Sequence, residues 1–317
     1  MEFLSKFFKR KLVISTENPY DRVVLFDWDR KMDGYKAQIN GCWKDKYAQK
    51  LRDKGVKHLF LNTALGWECD NYDFLQSLDF LESLVVLDVR NVSLKPIESL
   101  KSLRNLSLTT LSHYDIDFSQ FKCLVSLFCS ADKPVPSVFQ CTSLKNLYLD
   151  EFRMGDNHQL SQLHNLESLT IGNSNMASLD FVRSLPKLRQ LVILNNRKIT
   201  DFSPISSLTQ LSWLELRGVT SLHSISFLEH LMELNVLLLE CGAIESIRPI
   251  SHHSKLGALS LWGRKFMIDD GDLTPISTLD HLSMLSILNK KSYNARINNL
   301  WNWDNYGKPR QDWIQPL

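Results

Sequence analysis

Glycine is scarce in this chain, 12 residues in 317, which speaks against a core built on Gly-rich phosphate-cradling loops. No G-x-S-x-G, H-E-x-x-H or P-loop segment occurs either. No apolar run approaches the ~20 residues that span a bilayer, so stable membrane insertion is not expected. The opening MEFLSKFFKRKLV has a positive cluster but no apolar stretch and small-residue cleavage site after it. It therefore reads as a capping strand or helix with solvated lysines rather than a signal peptide. Six cysteines, Cys42, Cys69, Cys123, Cys129, Cys141 and Cys241, form no C-x-x-C pair and no secreted-type framework. They are expected to be buried small apolar residues in a reducing compartment, which makes the cytoplasm the expected location.

Charge of one sign is missing too. Residues 1–55 carry 13 Lys/Arg against 8 Asp/Glu, a net of +5, and the remainder carry 24 against 27, a net of −3. Neither value suggests a nucleic-acid partner, which calls for a denser basic patch. What is abundant is apolar side chains, 44% of the chain against 23% charged, the balance of a folded protein.

Those apolar residues repeat. The pattern L-x-x-L-x-L, with any aliphatic residue or cysteine allowed, starts at Leu84, Leu103, Leu124, Leu144, Leu166, Leu188, Leu211, Leu234, Leu256 and Leu282. Successive starts are 19 to 26 residues apart, and an outlying copy, VKHLFL, begins at Val56. Between copies, segments such as LDFLESL (78–84), LDFVRSL (179–185) and TDFSPISSL (200–208) suit short helical turns. This resembles the leucine-rich repeat family, consensus L-x-x-L-x-L-x-x-N/C-x-L, over about residues 56–289. The compact return segments and the 22-residue period are similar to the bacterial internalin-like subclass. Only Asn196 occupies the consensus asparagine squarely; other copies place Val92, Leu111, Phe152 or Gly242 there.

The resemblance implies an α/β solenoid, a horseshoe with a parallel concave β-sheet and short helical or 3-10 convex segments. Residues 1–55 would form an N-terminal cap, 56–289 an array of about 10–11 repeats, and 290–317 a C-terminal cap with Trp301, Trp303 and Trp313 over the last coil. A single repeat cannot bury its apolar side, so neighbours must stack and the ends must be covered. Ten strand intervals at ~4.8 Å give a surface roughly 50 Å long, the size of a protein partner rather than a metabolite.

In each copy the leucines point inward and the residues between them point to the concave face. The outward sets then begin with His58-Phe60-Asn62, Val86-Asp88-Arg90, Asn105-Ser107-Thr109 and Ser126-Phe128-Ser130, a half that reads as mostly small and polar. Later sets are richer in aromatic and aliphatic residues. The candidate partner-binding residues are Tyr148, Asp150, Val192, Leu194, Trp213, Glu215, Arg217, Leu238, Glu240 and Trp262, with Glu215, Arg217 and Glu240 as a charged rim. Aromatic and arginine anchors dominate interface energetics, and contiguous exposed apolar area marks binding sites. The acidic rim disfavours nucleic acid.

Other chemistry has weaker support. VVLFDWDRKMDG (23–34) is similar to the nucleophile motif of haloacid-dehalogenase-type phosphatases, which would make Asp27 the nucleophile and Asp29 the acid/base; Lys31 and Met32 depart from that motif. A capping strand with solvated aspartates is the simpler reading. MIDDGD (267–272) lacks the spacing of a calcium loop and reads as a surface loop. His252 and His253 sit on a return segment with no partner at ligand spacing, so no metal or cofactor is expected. The segment GYKAQINGCWKDKYAQKLRDKGVKHLFLN resembles that of short standalone bacterial leucine-rich repeat proteins. The expectation is a non-enzymatic protein-binding module, most specifically an immunity or inhibitor protein that occludes a toxin. The alternative is a regulatory or effector scaffold recruiting a cellular enzyme.

Overall fold

The computed structural model describes residues 11–15, 22–26, 35–110, 115–130, 135–151 and 157–295. Backbone packing divides the chain into two units, Met1–Leu149 and Asp150–Leu317. Asp27, Asp29, Leu111, Phe152, Trp301, Trp303 and Trp313 lie outside the described residues.

In the first unit, β1 (Lys11–Ser15), β2 (Arg22–Phe26) and β3 (Tyr35–Asn40) pair antiparallel. Helix α1 (Lys46–Asp53) then crosses to β4 (Val56–Asn62), which lies parallel to β3. Tyr47 and Leu51, one helical turn apart, are its buried residues, and this single apolar stripe docks it. The parallel ladder continues through β5 (Ser83–Asp88), β6 (Asn105–Thr110) and β7 (Ser126–Ser130), with β8 (Asn146–Asp150) next to β7.

In the second unit, β9 (Ser168–Gly172), β10 (Gln190–Leu194), β11 (Trp213–Arg217) and β12 (Val236–Glu240) are successive parallel neighbours. A separate two-stranded pair joins β13 (Ala243–Ile244) to β15 (Met267–Ile268). Beside β12 the main ladder adds β14 (Ala258–Trp262) and β16 (Met284–Ile287). MIDDGD is thus strand at its first two residues and turn only after them.

Each strand is five or so residues long because a 3-10 turn must reverse the chain within one coil. Asp180–Ser184, Ser203–Ser207 and Ser226–His230 are such turns. The N–H of Leu185, Leu208 and Leu231 closes each on the carbonyl of Val182, Ile205 and Leu228. Pro204 occupies the start of its turn, where a missing N–H costs nothing. Inside the coils the leucine positions stack: Leu188, Leu191, Ile193, Leu211, Leu214 and Leu216 are fully buried. Each such side chain contributes roughly 1.5–3 kcal/mol on burial.

One repeat boundary differs from the sequence reading. Leu84 pairs with Leu106, and Val86 with Leu108. The copy therefore starts at Leu81, 22 residues before Leu103, and reads LESLVV. Val86 is core, Asp88 is 1% exposed, and Val85 and Leu87 take the outward positions. Val-Val and Leu-Asp-Val satisfy the same apolar pattern three residues apart, so periodicity alone could not separate them. The open sheet face of the first unit consequently carries Phe60, Val85, Leu87 and Phe128, not a mainly small and polar surface. Cysteine burial also departs from expectation: Cys129, Cys141 and Cys241 are buried, but Cys42 and Cys123 are exposed.

His253, on its return segment, sits in the core. It replaces the leucine that closes the preceding turns at Leu185, Leu208 and Leu231, and its N–H bonds Ile250 in the same way. Its Nε2 lies 3.0 Å from the Leu228 carbonyl of the coil before, while its buried Nδ1 has no partner among the described residues. Burial holds its pKa below the ordinary 6.5. The unfolded chain then binds the proton more readily, so the neutral ring's contribution is complete above about pH 6.5 and is lost as pH falls below it. Replacing His253 with Leu should flatten the loss of melting temperature between pH 7.5 and 5.5. An unaltered slope would contradict this assignment.

Candidate functional site

Parallel strands in register convert sequence columns into rows across the sheet. The third positions of the L-x-x-L-x-L pattern in the second unit, where the strands begin, place Gln190, Trp213, Val236 and Ala258 side by side. The fifth positions align Thr170, Val192, Glu215, Leu238 and Ser260. Leu194 faces Arg217, and Glu240 faces Trp262. Side chains in neighbouring strands stand about 5 Å apart, close enough to cover one another. That packing leaves Val192 only 6% and Val236 only 4% exposed, while Leu194, Trp213, Leu238 and Trp262 stay half-buried.

Glu215 is the unexpected member. It lies between Val192 and Leu238 in the middle of its row and is 8% exposed, so it is not part of a rim. A carboxylate there must be compensated. The Trp213 indole Nε1 donates to its Oε2 at 3.4 Å, and Arg217 Nε pairs with its Oε1. Arg217 also lies over the Trp262 ring, 5.6 Å from its centroid. Trp213, Glu215 and Arg217 on β11 and Trp262 on β14 thus form one connected network, with the apolar Leu194 and Leu238 beside it. Arg217 remains exposed, and Glu240 is half-buried without a salt bridge among the described residues.

The two N-terminal candidates lie elsewhere. Tyr148, in the first unit, stacks on Phe128 with centroids 4.3 Å apart. Asp150 begins the second unit and serves a structural role: its Oδ1 accepts from the Glu151 N–H at 3.0 Å and from Asn173 Nδ2 at 2.7 Å. Asn195 Nδ2 continues this ladder to Asn173 Oδ1 at 3.0 Å. Glu151, Asn173 and Asn195 all have positive φ, 55°, 47° and 54°. Asparagine tolerates that conformation better than most residues. Asn173 and Asn195 occupy the position just before the consensus asparagine, and Asp150 stands two before it, which is why scanning for the consensus missed the ladder. The consensus residue itself, Asn196, is buried; its Oδ1 accepts from the Lys198 and Ile199 N–H groups, and its Nδ2 donates to Ser174.

Outside the sheet, the aspartates of MIDDGD are engaged in turns. Asp272 accepts from Thr274 N–H and Asn294 Nδ2, and its hydrogen bonds with Thr274 and Asn294 draw its pKa to about 2. No group of three metal-ligating side chains is arranged for an ion among the described residues.

The comparisons with known proteins bear on the fold. A family model described as Leucine Rich repeats (2 copies) matches residues 164–207. No curated protein matches the chain in sequence. Among solved structures, an internalin of Listeria monocytogenes shares 19% identity over 80% of this chain and 83% of that one, with a TM-score of 0.57. A leucine-rich repeat protein of Leptospira interrogans shares 18% identity over 78% of this chain and 70% of its own, with a TM-score of 0.61. The ectodomain of an Arabidopsis thaliana receptor kinase, solved in complex with Casparian strip integrity factor 2, shares 21% identity over 78% of this chain but only 31% of its own, with a TM-score of 0.59. With its short parallel strands and 3-10 turns, the chain has the leucine-rich repeat fold seen in these structures, and residues 164–207 match the leucine-rich repeat family model.

Proposed function

We propose that the chain is a cytoplasmic protein-binding module and that the open sheet face of its second unit captures the partner. Most specifically, the partner is a toxin, which the chain neutralises by covering its active or target-binding surface. The observation that carries this reading is the Trp213–Glu215–Arg217–Trp262 network with Leu194 and Leu238 beside it. Two half-buried indoles and an arginine, held by side chains already in contact, supply anchors with little rotamer freedom left to lose on binding. The Glu215 carboxylate is already desolvated and paired, so docking adds no new buried charge there. Asp150, Glu151 and Glu240 on the same unit oppose phosphate-rich ligands.

The test is a binding titration against a toxin encoded beside this chain's gene. Trp213→Ala combined with Trp262→Ala should weaken capture by at least about 2 kcal/mol, roughly thirtyfold, with circular dichroism unchanged. Equal affinity in a folded double variant removes the site assignment. Tight binding without neutralisation, of a cellular enzyme instead, would favour a recruiting scaffold.

A further inference from the structure

The exposed Cys42 and the half-buried Cys69 are brought together by the first coil rather than by sequence spacing. Beyond β3 the chain makes one more parallel bridge, Gly41 to Trp67, with the Glu68 N–H donating to the Gly41 carbonyl at 3.3 Å. The residues that follow the bridge on each side therefore run together. The Trp43 N–H donates to Cys69 Sγ at 3.0 Å, and Cys42, the residue before Trp43, lies near enough to the same sulfur to help burial hold its thiol above the ordinary range. Cys42 reaches solvent and Cys69 lies behind it. Trp43 is fixed in turn by stacking on Phe74, centroids 4.3 Å apart, and by edge contact with Tyr47. The two cysteines thus neighbour each other beside a packed aromatic cluster, not between two loose loops. The Cys129 and Cys141 pair is the contrast: both are buried, and burial pushes both thiols to about 12, so neither presents a thiolate to a solvent-borne reagent.

The geometry points to Cys42 and Cys69 as a reversible thiol–disulfide pair that clips the segment after β3 to the segment after β4, with Cys42 as the attacking and Cys69 as the resolving residue. The oxidant is a small-molecule disulfide such as oxidised glutathione. The Cys42 thiolate attacks one of its sulfurs, forming a mixed disulfide and releasing one glutathione thiolate. The Cys69 thiolate then attacks Cys42 Sγ, the mixed disulfide breaks, and the second glutathione leaves. The two protons shed by the protein thiols end on the two released glutathiones. Burial holds the Cys69 thiol above its ordinary range, and the Trp43 N–H works against that by donating to the sulfur as it ionises. In a reducing compartment the pair rests as two thiols and closes under oxidative load, the behaviour expected of an intracellular redox-sensing pair.

The experiment is incubation of the full chain with oxidised glutathione, followed by non-reducing peptide mapping. The expected product is a Cys42–Cys69 cross-linked peptide, reversed by dithiothreitol, with Cys129 and Cys141 still free. The cross-linked form should melt several degrees above the reduced form, since the bond closes a loop of more than twenty residues in the unfolded chain. In Cys69→Ser, Cys42 should stop at the glutathione adduct. A wild-type chain that also stops at that adduct, or that links Cys42 to a different cysteine, overturns the proposal; the wild-type map decides even if the serine variant fails to fold.

Discussion

Gly263→Ala should lower the stability of the second unit by roughly 2–6 kcal/mol, the sum of backbone strain and a steric clash that each cost about 1–3 kcal/mol. Gly263 has φ of +150°, a conformation that residues with a side chain rarely adopt. A methyl group there would sit 2.0 Å from the Cys241 carbonyl oxygen and 3.1 Å from its carbon. Both belong to the backbone of the preceding coil, where the Cys241 N–H donates to the Trp262 carbonyl at 3.0 Å. Backbone cannot swing aside as a side chain does, so the two coils must separate or the strand end must unwind. Trp262 is the neighbouring residue, and its contact with Arg217 should loosen as well. Gly242→Ala is the matched control: nothing lies within 4 Å of the added carbon, and a change within about 0.5 kcal/mol is expected. Thermal melts of the two variants settle the matter; equal melting temperatures would mean that the coil contact at Gly263 is not tight.

Asp88→Ala should cost about 2–4 kcal/mol in urea unfolding, because it strips the acceptor from a buried network. The Asp88 carboxylate accepts from Tyr72 Oη at 2.6 Å, from Arg90 Nη2 at 2.7 Å, and from Arg90 Nε and N–H at 2.9 Å each. Tyr72 is fully buried, so its hydroxyl would lose the acceptor it now uses. Arg90 is half-exposed and can turn outward, which keeps the figure below that of a fully buried ion pair. Burial by itself would raise the Asp88 pKa, but the bonds from Arg90 and Tyr72 outweigh it and leave the value lowered. With the native value below the unfolded one, the network stabilises the protein above about pH 4 and is lost as pH falls through the native value. Asp88→Asn keeps one acceptor and should fall between wild type and alanine. Wild-type stability in Asp88→Ala would show that the network carries no weight.

These two sites also mark where sequence reading reached and where it stopped. Leu188, Leu191, Ile193 and their counterparts 22 or 23 residues on were legible, because burial of one strand face imposes a period that survives in a single chain. The outward columns followed from the same alternation, so Val192, Leu194, Trp213, Leu238 and Trp262 were correctly assigned to one face. Asp88 was misplaced because two overlapping apolar triplets fit the pattern equally well. Its partners, Tyr72 in a loop and Arg90 two residues on, give no periodic signal. Glu215 was assigned to a rim because its charge suggests water, whereas Arg217 neutralises it and the Trp213 indole donates a hydrogen bond to it.

The repeat, the solenoid class and the two-sidedness of each strand belong to the sequence alone, since local alternation and a fixed period are one-dimensional properties. Which carboxylate is buried, which histidine replaces a core leucine, and which cysteines become neighbours were decided only by the tertiary structure. Those facts depend on what the adjacent coil places about 5 Å away, and stacking brings together residues some twenty or more positions apart.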